Sequence, residues 1–313
     1  MDNLKKIALF PNISFGDSLL FMIIAQNFKK AGYEIFVYHD NFINLKSLFP
    51  NFHFKKVIEA ENLEKFEKIF FQNDDKERTI NFKNFREKKS LDNISILYFR
   101  YVESKHGILH KNDLVLNDKI SCVDSILELL KKNFEDLHIT SDTGIILDNR
   151  LIHKKHSKRI ILHPTSSDKN KNWDKKKYIK LAKILQMHGF DPVITVSKEE
   201  RNEFLDVLDH GIDLPLFLDI KEFINFLYES SFLIGNDSFA PHLASLLNIQ
   251  TIVIASSKKL LKLWRPGWLK PILIFPPSYI PNIKHFRIRE RYFSKFIKTK
   301  KVYKKFIQAY INQ

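Results

Sequence analysis

At 313 residues, with 44% hydrophobic residues and 28 phenylalanines, the chain has material for about two packed domains, since domains commonly run ~100–200 residues. The 51 Lys and Arg against 36 Asp and Glu leave a net charge of +15. That excess suits anionic partners (nucleotides, nucleic acid or an anionic lipid surface), or is a lysine-rich surface with no particular partner. A single cysteine, Cys122, excludes an internal disulfide and fits a reducing cytosol. No window approaches the ~20 apolar residues of a membrane span. Ile7–Phe10 runs into Pro11 and is too short for a signal-peptide core, so the expectation is a cytosolic protein.

In chain order, 6–10 reads as a first strand, 11–16 as a loop and 18–31 as a helix, through Leu19, Leu20, Ile23, Ile24 and Phe28. Gly32 ends that helix, and 34–38 is the next strand. This βαβ opening puts Gly16 and Asp17 at a helix start. Asp17 is there either as a carboxylate favoured by the helix dipole or as a reacting group. Strands are expected at 52–58, 68–71, 94–101 and 143–147, and a helix at 123–134. The charged stretch 148–158, DNRLIHKKHSK, has no apolar period and marks a linker between domains 1–150 and 151–313.

Beyond it the alternation is regular. Strand 159–163, helix 173–188, strand 192–196, helix 199–208, strand 214–218 and helix 220–228 lead to 231–256, SFLIGNDSFAPHLASLLNIQTIVIAS. That last stretch reads as strand, sharp turn, short helix, strand. Such alternation predicts an α/β fold with a parallel sheet covered by helices on both faces. The tail beyond Phe286 is basic and aromatic, with two helical stretches.

In open α/β sheets ligands bind beyond the carboxyl ends of strands, where loop amides and helix N-termini converge. The turn Gly235-Asn236-Asp237-Ser238 lies at such an end and is a candidate phosphate or nucleotide site. His163-Pro164-Thr165-Ser166-Ser167 also follows a strand directly, with Lys169 and Lys171 next, ahead of Trp173. Hydroxyls beside two lysines suit a diphosphate, which needs donors and positive charge but no proton transfer; the bland reading is a solvated lysine-rich loop. His242, in the first turn of a helix, either touches a ligand phosphate or is packed. There is no Walker A loop, GxGxxG, GxSxG elbow, zinc-ligand spacing or recognised nucleic-acid module.

Together these pieces resemble the heptosyltransferase family (glycosyltransferase family nine), inverting enzymes of the GT-B type. Gly16-Asp17 looks like the family's N-terminal Gly-Asp loop. His163-Pro164 through Lys171-Asn172-Trp173 looks like its donor-phosphate loop. Gly235-Asn236-Asp237-Ser238 with Pro241-His242-Leu243-Ala244 looks like its Asp-Ser/Thr-Gly-x-x-His-Leu turn, and Trp264-Arg265-Pro266 like the segment that follows. Two positions depart: Phe239 stands where the family has glycine, and Ser256-Ser257-Lys258-Lys259 where a Gly-Pro-Thr-rich loop is expected.

The resemblance implies two Rossmann-like doubly wound domains facing a cleft, with the tail crossing back toward the first. Domain 1–150 would bind the acceptor and 151–313 a nucleotide-sugar donor, ADP-heptose first among candidates. Asp17 would be the general base. Thr165, Ser166, Lys169, Lys171, Asp237, Ser238 and His242 would hold the donor, with Glu199 or Glu200 on its ribose; no metal or other cofactor is implied. The acceptor would be a lipid-linked glycan, a lipopolysaccharide core or related envelope polymer. The enzyme would work in the cytoplasm, held peripherally to the inner face of the bacterial inner membrane by charge, with no nucleic-acid partner. A nucleotide-sugar epimerase of the same fold, and an inactive nucleotide-sugar sensor or scaffold suggested by Phe239, stand as alternatives.

Overall fold

The computed structural model describes residues 5–57, 60–282 and 287–312. The chain divides into two units, 1–147 and 148–313. The first unit runs β1 (Lys6–Phe10), α1 (Phe15–Lys30), β2 (Glu34–Tyr38), β3 (His53–Lys55), β4 (Lys68–Gln72), α2 (Glu77–Lys88), β5 (Ile94–Tyr98), α3 (Glu103–His106), β6 (Leu114–Val115) and α4 (Cys122–Asn133). All its strand pairs are parallel, in the order β3-β2-β1-β4-β5-β6, the doubly wound order of dinucleotide-binding sheets. α1 begins earlier than its apolar period suggests, because the Ser14 hydroxyl caps it by accepting the Asp17 N–H. Its residues Leu19–Ala25 and Phe28 are all buried, which makes it the most enclosed helix face of this unit.

The second unit runs β7 (His156–His163), α5 (Lys175–Met187), β8 (Asp191–Ile194), α6 (Ile220–Tyr228), β9 (Ser230–Asn236), α7 (Phe239–Leu246), β10 (Gln250–Ile254), α8 (Leu260–Trp264), β11 (Ile272–Ile274), α9 (Ile288–Arg291), α10 (Phe293–Phe296) and α11 (Thr299–Ile311). Its sheet is parallel too, β11-β10-β9-β7-β8. The first crossover runs from β7 out to β8 and the next returns past it to β9, so the chain reverses direction between β7 and β9. Every residue of β9 is buried, as a strand covered on both faces must be.

Several sequence expectations change in detail. Residues 143–147 form no strand and keep one ladder-like bond, Ile146 N–H to the Leu48 carbonyl. The strand expected at 214–218 shrinks to a single bridge at Asp213 beside β8. Pro215 explains this, since it has no N–H to give a ladder. The helix expected at 199–208 is a 3-10 run over Arg201–His210. The strand expected at 52–58 covers only β3, and Ile58 lies outside the described residues.

The tail is part of the second unit's own core. Phe293, Ile297, Val302 and Phe306 are buried in it, and α11 packs on α5. Trp173 donates its indole N–H to the Ile297 carbonyl at 3.1 Å, which ties the start of α5 to the tail. Phe306, fully buried, meets Phe190 and Phe232 edge-on with ring centroids 5.0 Å apart. Phe306→Ala should therefore cost about 3–5 kcal/mol of the second unit's stability, the usual range for an emptied Phe site. All three tryptophans, Trp173, Trp264 and Trp268, lie in this unit. Tryptophan fluorescence in a denaturant titration reads the loss, and an unchanged midpoint would show the tail to be dispensable.

Candidate functional site

The second unit's site grows from the reversal between β7 and β9. The register sets His163 opposite Gly235. A Cβ on Gly235 would stand 3.2 Å from the His163 carbonyl oxygen, so the two strand ends approach closely because this residue is glycine. His163 Nδ1 lies 3.1 Å from Thr195 Oγ1 beyond β8, and burial pushes its pKa down to about 4.

One residue further on, the side chain of Asn236 is fully buried and joins four groups. Its carbonyl oxygen accepts the Trp173 N–H and the Tyr178 hydroxyl, both at 3.0 Å. Its amide donates to the Pro164 carbonyl at 2.5 Å and to Asn172 Oδ1 at 3.4 Å. The end of β9 is thereby fastened to both ends of the loop 164–172. Without those partners a buried amide would cost several kcal/mol, of order 2–7.

On this frame Lys171 Nζ meets Asp237 Oδ2 at 3.1 Å, half-buried, with Ala255, Ser256, Ser257 and Leu261 around the pair. They enclose about 10 Å³, room for about one water. Lysine has three donors, so the bond to Asp237 leaves two N–H groups for a ligand. Next to it, two buried polar atoms, Ser238 Oγ and His242 Nδ1, have no hydrogen-bond partner. Burial is the main cause of a lowered His242 pKa; the Asp237 carboxylate and a hydrogen bond to the Trp264 backbone oppose it, and Lys171 adds to it. One free nitrogen of a neutral imidazole and a hydroxyl, both without a partner beside a lysine, are what a bound polar ligand would complete.

The other sequence-derived candidates are placed unequally. Thr165 is buried in the loop. The Ser166 hydroxyl lies between the Asp168 carbonyl at 2.8 Å and Asn172 Oδ1 at 2.7 Å, so its one proton is engaged within the loop. Lys169 is not brought to Lys171: it pairs with Glu203 at 3.1 Å on the exposed side. Glu199 is exposed beyond β8, its pKa lowered by hydrogen bonding to its own backbone and to Ser197. Glu200 Oε2 accepts the Ser197 N–H at 3.1 Å. Phe239 is half-buried and opens α7. Of the departing loop, Ser257 is buried and hydrogen-bonded to Glu290 of α9, which also holds Arg287. Among the described residues no three His, Cys, Asp or Glu side chains gather as a metal-ligand set.

In the first unit, Asp17 stands half-buried in the opening turn of α1, with Asn12 Nδ2 donating to its Oδ2 at 3.0 Å. The chain reverses here too, between β1 and β4. Gly16 has nothing within 4 Å of where a Cβ would stand, so the backbone beside Asp17 is open. Sequence reasoning named Asn236 and Asn172 within their motifs without giving either a role of its own, and it missed Tyr178 in the second unit and Asn12, Gln72 and His39 in the first. For Asn236 a signal existed, an amide closing an otherwise apolar strand.

Fold and site together define an α/β protein of the doubly wound class, with polar groups gathered at the reversal point of each sheet. The family model for glycosyltransferase family 9 (heptosyltransferase) matches residues 20–258, and the chain belongs to that family. It is a glycosyltransferase, which decides against the epimerase reading. Among solved structures, E. coli heptosyltransferase WaaC with ADP superposes with a TM-score of 0.71 at 14% identity, covering 97% of this chain and 99% of that one. The E. coli ADP-heptose lipopolysaccharide heptosyltransferase II gives 0.65 at 14%, over 92% and 97%. The iron-containing dodecameric glycosyltransferase TibC of enterotoxigenic E. coli gives 0.59 at 15%, over 99% and 76%. At such identities the likeness is one of fold. No curated protein matches the sequence.

The two histidines of this site set a pH dependence. His163 titrates near 4 folded against 6.5 ordinarily, so the unfolded chain binds more protons between those values. Its contribution is whole above about 6.5 and is lost as pH falls toward 4; the lowered His242 adds in the same direction. Tryptophan-monitored denaturation should show the second unit weakening across that window, with a shallower fall in His163→Gln. An equal fall in the variant would mean that His163 does not couple to folding.

Proposed function

We propose that this enzyme is an inverting, metal-independent glycosyltransferase that moves a sugar, probed first as heptose from ADP-heptose, onto a lipopolysaccharide core or a related envelope glycan. The observation that carries this reading is the half-buried Lys171–Asp237 pair with the partnerless Ser238 hydroxyl and His242 Nδ1 beside it. In this reading the diphosphate takes the two spare N–H groups of Lys171 and draws on Thr165, on the backbone amides at Asp237 and Ser238, and on Ser166 once its hydroxyl turns from Asp168 and Asn172. Asp17 takes the proton of the acceptor hydroxyl as its oxygen forms the new bond to the anomeric carbon. The carbon–oxygen bond to the diphosphate breaks on the opposite face, and ADP leaves with the electron pair. Glu199 or Glu200, past the neighbouring strand β8, is offered to the ribose diol, and Lys169 supplies positive charge at the loop's outer edge.

The heptosyltransferase II neighbour is described as acting with ADP-heptose on lipopolysaccharide, and WaaC is seen with ADP. Those descriptions support the donor and acceptor chosen here. No described helix is long and apolar enough to cross a membrane. We assign the approach to a lipid-linked acceptor to the surplus of Lys and Arg, acting at the cytoplasmic face of the inner membrane.

Two substitutions test the reading. A charge-assisted contact to a diphosphate is worth roughly 1.5–3 kcal/mol. Lys171→Ala should therefore weaken ADP-heptose binding about ten- to hundredfold in calorimetry, with little effect on adenosine. Equal losses for both ligands would make Lys171 structural.

Asp17→Asn keeps the side chain's size and cannot take a proton at neutral pH. Turnover of ADP-heptose with a lipopolysaccharide-core acceptor should drop at least about a hundredfold, with donor affinity unchanged. A variant that binds the donor and turns over normally would place the base elsewhere. Wild type that binds ADP-heptose and transfers it to no envelope acceptor would leave the sensor reading standing.

A further inference from the structure

The loop between β1 and α1 is held by polar side chains from three elements, and they converge on Asn12. Its N–H donates to Gln72 Oε1 at the end of β4, at 2.9 Å. Its carbonyl lies 2.9 Å from His39 Nε2, just beyond β2, and 3.2 Å from the Ser18 hydroxyl, which also faces the Ser14 carbonyl at 3.0 Å. His39 Nδ1 accepts the N–H groups of Asn41 and Phe42 at 3.1 and 2.9 Å. With that nitrogen an acceptor, the proton of the neutral ring sits on Nε2 and points at Asn12. Burial holds the His39 pKa below its ordinary value, with nearby Arg78 adding to the effect, so the ring is neutral at pH 7.

The Asn12 amide is oriented in the same way. Its Oδ1 accepts the Ile13 N–H at 2.7 Å, a partner that can only donate, so Nδ2 is the end turned to Asp17 Oδ2 at 3.0 Å. The charged groups around this loop are few. Arg78 of α2 donates to the Pro11 carbonyl at 3.0 Å and pairs with Asp74 at 3.1 Å, while Asp40 beyond β2 accepts the Val57 N–H.

We propose that Asn12 is a positioning residue for Asp17. Its amide proton holds the carboxylate in one plane and favours the ionised form that a base requires; Gln72 and His39 hold Asn12 in turn. The inference rests on the reading of Asp17 as the general base. The transferred proton goes from the acceptor hydroxyl to Asp17, and Asn12 keeps both of its own.

Asn12→Asp separates positioning from loop structure. It preserves the size and the acceptor for Ile13 N–H, and replaces the donor by a second carboxylate. Beside Asp17 that like charge favours the protonated acid. With ADP-heptose and lipopolysaccharide-core acceptor, kcat should fall about ten- to hundredfold, KM for the donor should stay within about twofold, and the acid limb of the rate profile should move to higher pH. Asn12→Ala should shift both in the same direction by less, and is read in its place if Asn12→Asp fails to fold. An unmoved kcat and acid limb in the Asn12 variants, while Asp17→Asn abolishes turnover, overturns the inference and spares the base. Normal turnover in Asp17→Asn overturns the base itself. If the enzyme does not use ADP-heptose, the 13C-carboxyl titration of Asp17 in the full chain, assigned by its loss in Asp17→Asn, decides. A titration in Asn12→Asp that coincides with wild type overturns the inference.

Discussion

The second unit's site depends on one buried amide. Asn236 sits where β9 leaves the sheet, and its side chain must find partners because nothing there is wet. It finds them on two segments distant in sequence: the loop after β7, through the Pro164 carbonyl and Asn172, and the start of α5, through Trp173 and Tyr178. A strand end held only by its ladder would leave the next two residues to wander. Fastened on four sides, it delivers Asp237 to Lys171 in a fixed place. The cost of any unmet member of such a network is what gives the arrangement its uniqueness.

The first unit solves the same problem with the same chemistry. Its reversal lies between β1 and β4, and the residue that joins their ends is again an asparagine, Asn12, tied to Gln72 through its backbone. In one unit the amide side chain is the tie and the following carboxylate the functional group. In the other the backbone is the tie, and the amide side chain is left to address the carboxylate of Asp17. Reversal points need this because adjacent crossovers depart in opposite directions and leave a gap that no ladder bond closes.

Much of the fold was legible because its strongest signals are local. Buried parallel strands read as unbroken apolar runs, as in 232–234 and 252–254, and helices such as α5 show a clean period before Gly189. The misreadings came where a local run lacked a neighbour or a donor, as at Pro215. The motifs around Asp17, Lys171 and Asp237 were legible as types. Their supports were not, since Asn172, Tyr178, Gln72 and His39 act across 15 to 64 positions of separation, and a sequence does not show which amide faces which carbonyl.

Charge was the least informative signal, for a physical reason. A chain with 51 Lys and Arg offers a lysine near almost any loop. Lys169 and Lys171 are equivalent by spacing, yet one pairs with the exposed Glu203 and the other with the sheltered Asp237. Lys175 turns to Asp206, and Lys177 to backbone carbonyls of the tail. An exposed pair is screened by water and salt and fixes little. The Lys171–Asp237 pair has its carboxylate only 17% exposed, although the lysine itself is 43% exposed, whereas Lys169 and Glu203 are 82% and 62% exposed. What distinguishes Lys171 from its neighbours is therefore the burial of its partner, and that burial is set by Asn236 and the ladder that carries it.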